Sequence, residues 1–161
     1  MPATPPTVLV IAGNDPSGGA GIAADIQAIT AAGAHPAPVI TALTVQDTVN
    51  ASAVEPASAQ FVVAQAEAVL ADMPVAAVKI GLLATAEIAA AVATLLARHP
   101  TIPVVLDPVL VAAGGARLAE EALVDVVLQQ LCPLTTLLTP NAMEIRRLAP
   151  AAGDTAARAA R

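Results

Sequence analysis

Apolar, β-branched runs alternate along this chain with alanine-rich stretches in which apolar residues recur at helical spacing. Five such pairs follow one another, and this alternation is typical of βαβ units on a mainly parallel sheet. The predicted strands are residues 7–13, 37–46, 75–81, 102–108 and 134–140. The predicted helices are residues 21–32, 57–71, 84–98, 119–131 and 142–148. Because the strands are apolar throughout rather than at alternate positions, we expect helices on both faces of the sheet.

Polar and turn residues gather where the predicted strands end. Gly13, Gln46 and Asp107 lie at or beside three of these ends, and Asn141 follows the fifth strand. In open α/β sheets, ligands bind in the crevice beyond the carboxyl ends of the strands. The sequence therefore predicts a binding site at this edge.

The glycine-rich loop after the first strand reads GNDPSGGAGIAAD and ends at Asp25. It matches neither the dinucleotide fingerprint nor the P-loop, and it lacks the lysine that would reach a phosphate. Its bare backbone suits a flat ligand, and a carboxylate about one turn into the helix could accept a hydrogen bond from an amino or hydroxyl group. Asp25 is equally compatible with a residue that only interacts favourably with the helix dipole. An aminated heterocycle is the ligand that fits the loop best.

Four further residues have both a functional and a structural interpretation. The amide of Gln46 could read a pyrimidine edge, or it could be a solvated strand-end side chain. Asp107 could bind a hydrated cation or orient a hydroxyl group, or it could close a turn. Asn141 and Glu144, three residues apart on one helix face, could hold Mg²⁺ and a nucleotide, or they could cap the helix.

Composition restricts the class of protein. The chain has 161 residues, 57% hydrophobic and 12% charged, so residues 1–161 are predicted to form one packed domain. The net charge is −6 and no lysine or arginine precedes Lys79, so nucleic-acid binding is not expected. Apolar runs stay short of the roughly 20 residues of a membrane span, and the start lacks a basic signal region. A cytoplasmic protein with no membrane segment is expected.

Five motifs in order carry a resemblance to a known family: IAGNDPSGGAGIAADIQAI, VITALTVQDT, VKIGLL, VVLDPVLVAAGG and LLTPNAMEI. The chain resembles the hydroxymethylpyrimidine/phosphomethylpyrimidine kinases of thiamine biosynthesis over nearly its whole length. The resemblance implies a ribokinase-like three-layer α/β sandwich with a mainly parallel sheet. It also implies phosphorylation by ATP and Mg²⁺ of 4-amino-5-hydroxymethyl-2-methylpyrimidine and then of its monophosphate, in a possible homodimer.

The resemblance further implies roles for particular residues. The pyrimidine-binding residues would be Gly13, Asp25, Thr44, Gln46, Leu82 and Val109. Asn141 and Glu144 would contact the nucleotide, and Asp107 and Glu144 would hold the metal. No residue of this chain is assigned as the catalytic base, because in the family that residue lies further along the chain.

Two departures from the family pattern affect the expected activity. Residues 112–115 read AAGG where many relatives have an AKSG-like segment with a positive charge. Family members also continue for roughly another hundred residues with the anion hole, so the domain is expected to be truncated and inactive alone. Residues 154–161 begin like a helix without a stop signal, which fits either a truncated domain or a solvated tail. The alternatives are a pyridoxal kinase-like enzyme, a non-catalytic pyrimidine-binding module and a fragment without a function of its own.

Overall fold

The structure, a computed structural model, describes residues 4–110 and 121–149. The strands are β1 (Thr7–Asn14), β2 (His35–Gln46), β3 (Ala51–Pro56), β4 (Val75–Ile80), β5 (Val104–Leu106) and β6 (Leu137–Leu138). They form one sheet in the order β3-β2-β1-β4-β5-β6. The pairs are parallel except for β2 with β3, which is antiparallel. The predicted α/β class and mainly parallel sheet are confirmed.

The helices are α1 (Gly21–Ala31), α2 (Ala59–Asp72), α3 (Ala86–Ala97), α4 (Glu121–Val126) and α5 (Ala142–Leu148). A π-helical turn and then a 3-10 turn continue α4 as far as Leu134. Hydroxyl oxygens cap two of the helices, because Ser58 and Thr85 each accept a hydrogen bond from a backbone N–H in the first turn. Among the described residues, no helix has the length and apolar character needed to cross a membrane.

The two faces of the sheet are covered unequally. Leu9 and Ile11 point into a large core formed with α2, α3 and α4. Val10 and Ala12, the alternate residues of the same strand, contact α1 in a second and smaller cluster. This explains the continuous apolar pattern of β1, whose residues are buried on both faces.

The sequence did not predict β3. Its segment, ASAVEP, has no apolar run, and it forms the exposed edge of the sheet. It is a strand because the chain reverses after β2, and the carboxylate of Asp47 fixes that turn by accepting hydrogen bonds from the backbone of Val49 and Asn50. The hydrophobic pattern carries no signal for a strand that is set by a turn.

Some of the predictions concern residues outside those described. They are the first two residues of the predicted fourth helix, the AAGG segment at residues 112–115 and the helix-like residues 154–161. Where they can be compared, the other predicted strands and helices agree with the structure in order and type, with ends that differ by a few residues.

Candidate functional site

A cavity of about 330 Å³ lies beyond the carboxyl ends of β1, β2, β4 and β5. Its walls come from four segments of the chain, within residues 12–21, 44–51, 79–82 and 107–109. The site therefore lies at the edge that the strand-end residues predicted. Five of the six predicted pyrimidine-binding residues line it: Gly13, Thr44, Gln46, Leu82 and Val109.

Two glycines of the opening loop allow the backbone to cross itself closely beside this cavity. A Cβ added to Gly21, whose φ is +57°, would lie 2.3 Å from the carbonyl oxygen of Gly13. A Cβ added to Gly13 would lie 2.9 Å from Cδ2 of Leu82. The bare backbone is therefore needed first for contacts within the protein, which leave Gly13 on the cavity wall.

The end of β2 places a hydroxyl and an amide on the cavity wall. The hydroxyl of Thr44 donates to the carbonyl oxygen of Asn14 at 2.8 Å and lies 3.2 Å from Oε1 of Gln46. Backbone hydrogen bonds to Asp47 in the turn that follows hold the pKa of its carboxyl below the usual range. A fixed turn thus closes one side of the cavity.

Asp25 is not among the residues that line the cavity. Its Oδ2 accepts a hydrogen bond from Nζ of Lys79 at 2.7 Å, and it is Lys79 that lies on the wall. The two side chains are 18% and 22% exposed. Lys79 was not predicted as a site residue, although a single charge inside an otherwise apolar strand was an available signal.

Asp107 lies at the end of β5 and also lines the cavity. Burial raises the pKa of the Asp107 carboxyl, the positive charge of Lys79 opposes this rise, and the negative charge of Asp25 adds to it. Asp107 and Lys79 on the cavity wall therefore interact electrostatically with each other and with Asp25 beside it.

Asn141 and Glu144 together form the capping box of α5. Oδ1 of Asn141 accepts hydrogen bonds from the backbone N–H groups of Met143 and Glu144, at 2.9 and 3.0 Å. Oε2 of Glu144 accepts from the backbone N–H of Asn141 at 2.8 Å, and the residue is 3% exposed. The two side chains therefore cap the helix, which is the structural one of the two interpretations given above. Neither residue lines the cavity.

Glu144 nevertheless remains electrostatically coupled to the cavity. Burial raises the pKa of its carboxyl, the hydrogen bond from Asn141 opposes that rise, and the negative charge of Asp107 adds to it. Within residues 4–110 and 121–149, no three His, Cys, Asp or Glu side chains converge as a metal site. Of the two predicted metal ligands, Asp107 therefore raises the cost of charging Glu144.

The family model for phosphomethylpyrimidine kinase matches residues 15–161, which is most of the chain. The chain belongs to this family. It is 43% identical over 141 residues to the hydroxymethylpyrimidine/phosphomethylpyrimidine kinase of Haemophilus influenzae, covering 88% of this chain and 52% of that protein. The predicted family is therefore confirmed, and the chain spans about half the length of this curated relative.

Solved structures give the same fold. The crystal structure of phosphomethylpyrimidine kinase from Clostridium difficile superposes with a TM-score of 0.83 at 36% identity, covering 90% of this chain and 63% of that one. The structure of Staphylococcus aureus pyridoxal kinase in complex with pyridoxal has a TM-score of 0.81 at 29% identity, covering 92% and 55%. The ribokinase-like fold predicted from the sequence is confirmed by both, and two substrate classes occur among the family's structural neighbours.

Proposed function

We propose that this chain supplies the substrate-binding half of a hydroxymethylpyrimidine/phosphomethylpyrimidine kinase, which phosphorylates the aminohydroxymethylpyrimidine and its monophosphate with ATP. The observation that carries the proposal is the convergence of Gly13, Thr44, Gln46, Leu82 and Val109 on one cavity at the strand ends. These residues come from four separate segments of the chain. The match to the phosphomethylpyrimidine kinase family supports a pyrimidine as the ligand of the cavity that they line.

The walls suit a small flat ring with polar edges. Leu82 and Val109 offer apolar surface, and the amide of Gln46 can donate and accept at adjacent atoms of a pyrimidine edge. Gly13 presents backbone without a side chain to the ring. Asp25 contributes through its ion pair with Lys79 rather than as part of the wall.

Binding of ATP and Mg²⁺ is the second part of the proposal. Asp107 and Glu144 would hold the ion, because carboxylate oxygens are its preferred protein ligands and one or two of them commonly suffice beside phosphate and water. Burial raises the pKa of Glu144 and the negative charge of Asp107 adds to that rise, and a cation between the carboxylates would offset both effects. Mg²⁺ would supply neutralisation of the phosphate charge, and Asn141 would support the nucleotide side by holding the first turn of α5.

Phosphoryl transfer requires a full set of groups around the transferring phosphate, since the protein acts almost entirely by positioning and electrostatic stabilisation. The chain spans 52% of the Haemophilus influenzae relative, so we propose that it binds the pyrimidine and that turnover needs the remaining part of the relatives' length.

The test is calorimetric titration of the chain with the aminohydroxymethylpyrimidine. Gln46→Ala is expected to weaken binding about ten-fold, which corresponds to one lost hydrogen-bonded edge of about 1.4 kcal/mol. The matched control is Gln60→Ala, the same change on an exposed position of α2 outside the cavity. The proposal fails if the folded chain does not bind the pyrimidine, or if both variants bind it equally well.

A pyridoxal kinase-like site is the second candidate, because the Staphylococcus aureus pyridoxal kinase in complex with pyridoxal superposes over 92% of this chain. Titration of the same sample with pyridoxal separates the two. Tighter binding of the aminopyrimidine supports the first candidate, and tighter binding of pyridoxal supports the second.

A further inference from the structure

The chain contains a single lysine, and it lies on the wall of the cavity. We infer that Lys79 donates a hydrogen bond from its ammonium group to an acceptor atom of the bound ring substrate, with Asp25 as the counter-ion that holds the ammonium in place. The inference rests on the proposed function, since it concerns the same cavity and the same ring.

The backbone fixes the position of the ammonium group. Lys79 is paired with Val10 of β1 and Val105 of β5, so its strand lies in the middle of the sheet. Its side chain folds over Gly81, where an added Cβ would lie 3.0 Å from Nζ and 3.1 Å from Cβ of Ala12. Glycine at residue 81 therefore leaves the space in which the ammonium lies against the end of the strand.

The donor count leaves hydrogens for a ligand. An ammonium group has three N–H donors and no acceptor. The hydrogen bond that the structure shows for it goes to Oδ2 of Asp25, at 2.7 Å. Thr44, another polar residue of the wall, already directs its hydroxyl to Asn14. Ring nitrogens and hydroxyl oxygens of a substrate need donors, and Lys79 provides them at a fixed place.

A purely structural role would be a clamp between α1 and β4. Lys79 is only 22% exposed, so the attraction within its ion pair is offset by the cost of desolvating both charges. Apolar side chains would join a helix to a sheet at lower desolvation cost, as Ile22 does against Val10 nearby. The lysine of this ion pair lies on the cavity wall, and an apolar cluster already joins α1 to the sheet, which favours the role towards the ligand.

The experiment measures the binding affinity of the unsubstituted chain and of a Lys79 variant for the substrate and for two analogues, as a thermodynamic cycle. Lys79→Met is expected to weaken binding of the aminohydroxymethylpyrimidine roughly ten- to one-hundred-fold, the range for a hydrogen bond from a charged group. Two analogues follow, one with methyl in place of the hydroxymethyl group and one with ring nitrogens replaced by CH. The Lys79→Met penalty should largely vanish for the analogue that lacks the accepted atom.

Arg98→Met is the matched control, because it removes an exposed cation that pairs with Glu67 outside the cavity lining, and it should leave affinity unchanged. An equal penalty for the parent ring and both analogues would show a structural clamp and overturn the inference. Unchanged affinity of a folded Lys79→Met chain would overturn it too, while the proposed function would stand. If the unsubstituted chain does not bind the ring, both the proposed function and the inference about Lys79 are wrong.

A second measurement needs no substitution and so does not depend on how a variant folds. Isotope-labelled lysine gives a single side-chain ammonium signal in this chain. Saturation with the aminohydroxymethylpyrimidine should shift that signal and slow its hydrogen exchange with water. A signal that keeps its position and exchange rate at saturation contradicts the inference.

Discussion

The two polar sides of the crevice use similar residues for different purposes. On the α1 side, Asp25 binds the ammonium of Lys79, and that lysine lines the cavity. On the α5 side, Asn141 and Glu144 bond to each other's backbone and lie outside the cavity lining. A carboxylate in the first turns of a helix can thus form an ion pair with a residue of the cavity wall, or it can cap its own helix. Its partners decide which, and they come from tertiary contacts.

The largest effect is expected where the α1 side is most crowded. Gly21→Ala would place Cβ 2.3 Å from the carbonyl oxygen of Gly13, so the loop must move and both stability and pyrimidine binding should fall sharply. Gly33→Ala is the matched control, since its φ is +81° with no atom within 4 Å of the added Cβ. It should cost only the left-handed backbone penalty of about 1 to 2 kcal/mol. Urea unfolding measures the stability of each variant, and calorimetry measures its pyrimidine affinity. Equal losses in the two variants would show that the close approach of Gly21 to Gly13 has no special importance.

Breaking the α5 side should separate stability from binding. Asn141→Ala removes the acceptor for two backbone N–H groups, so the free energy of unfolding should fall by about 1 kcal/mol with unchanged pyrimidine affinity. Ser58→Ala at the start of α2 is the control, because its single capping bond is longer at 3.3 Å and its loss should be smaller. A loss of pyrimidine affinity in Asn141→Ala would show that the two sides are coupled.

Asp107 lies between the two sides, and its effect should depend on pH. Because the pKa of Asp107 is raised in the folded chain, its protonated form is favoured and stability falls as the pH rises through that pKa. Asp107→Asn should therefore raise the Tm by a few degrees at neutral pH. The difference should disappear below about pH 4, where an ordinary aspartate is protonated.

Thermal unfolding from pH 3 to 8 tests this expectation, with Asp125→Asn, an exposed position of α4, as the control. A Tm difference for Asp107→Asn that does not change with pH would contradict the assignment. Added Mg²⁺ should raise the Tm of the unsubstituted chain more than that of Asp107→Asn if the carboxylate holds the ion.

The smallest effect is expected at the turn that closes the cavity. Asp47→Ala removes an acceptor shared by the backbone N–H groups of Val49 and Asn50, so the turn should become less ordered and pyrimidine affinity should fall only two- to three-fold. The lowered pKa of Asp47 means that its contribution is lost as the pH falls through that pKa. Asp72→Ala, at an exposed residue of α2, should leave the calorimetric affinity unchanged, and equal affinities for both variants would exclude a role for the turn.

Particular residues show how much of the site could be predicted from the sequence. Gln46, Leu82 and Val109 were predicted to bind the pyrimidine, and the structure brings them to one cavity. Lys79 was not singled out, because its partner Asp25 lies 54 residues away and no short motif links them. Whether Asn141 and Glu144 serve capping was also open in the sequence, since capping and metal binding favour the same residue types at the same spacing.

The sequence by itself determined the α/β class, the order of the helices and of the strands other than β3, and the edge at which a site would form. These features follow from local hydrophobic periodicity and from turn residues, which depend on near neighbours along the chain. Only the tertiary structure decided the antiparallel β3, the close crossing of Gly21 over Gly13, and the ion pair between Asp25 and Lys79 beside the cavity. Each of these features depends on which distant segments come into contact and how closely. The hydrophobic periodicity of one segment does not indicate which other segments it contacts.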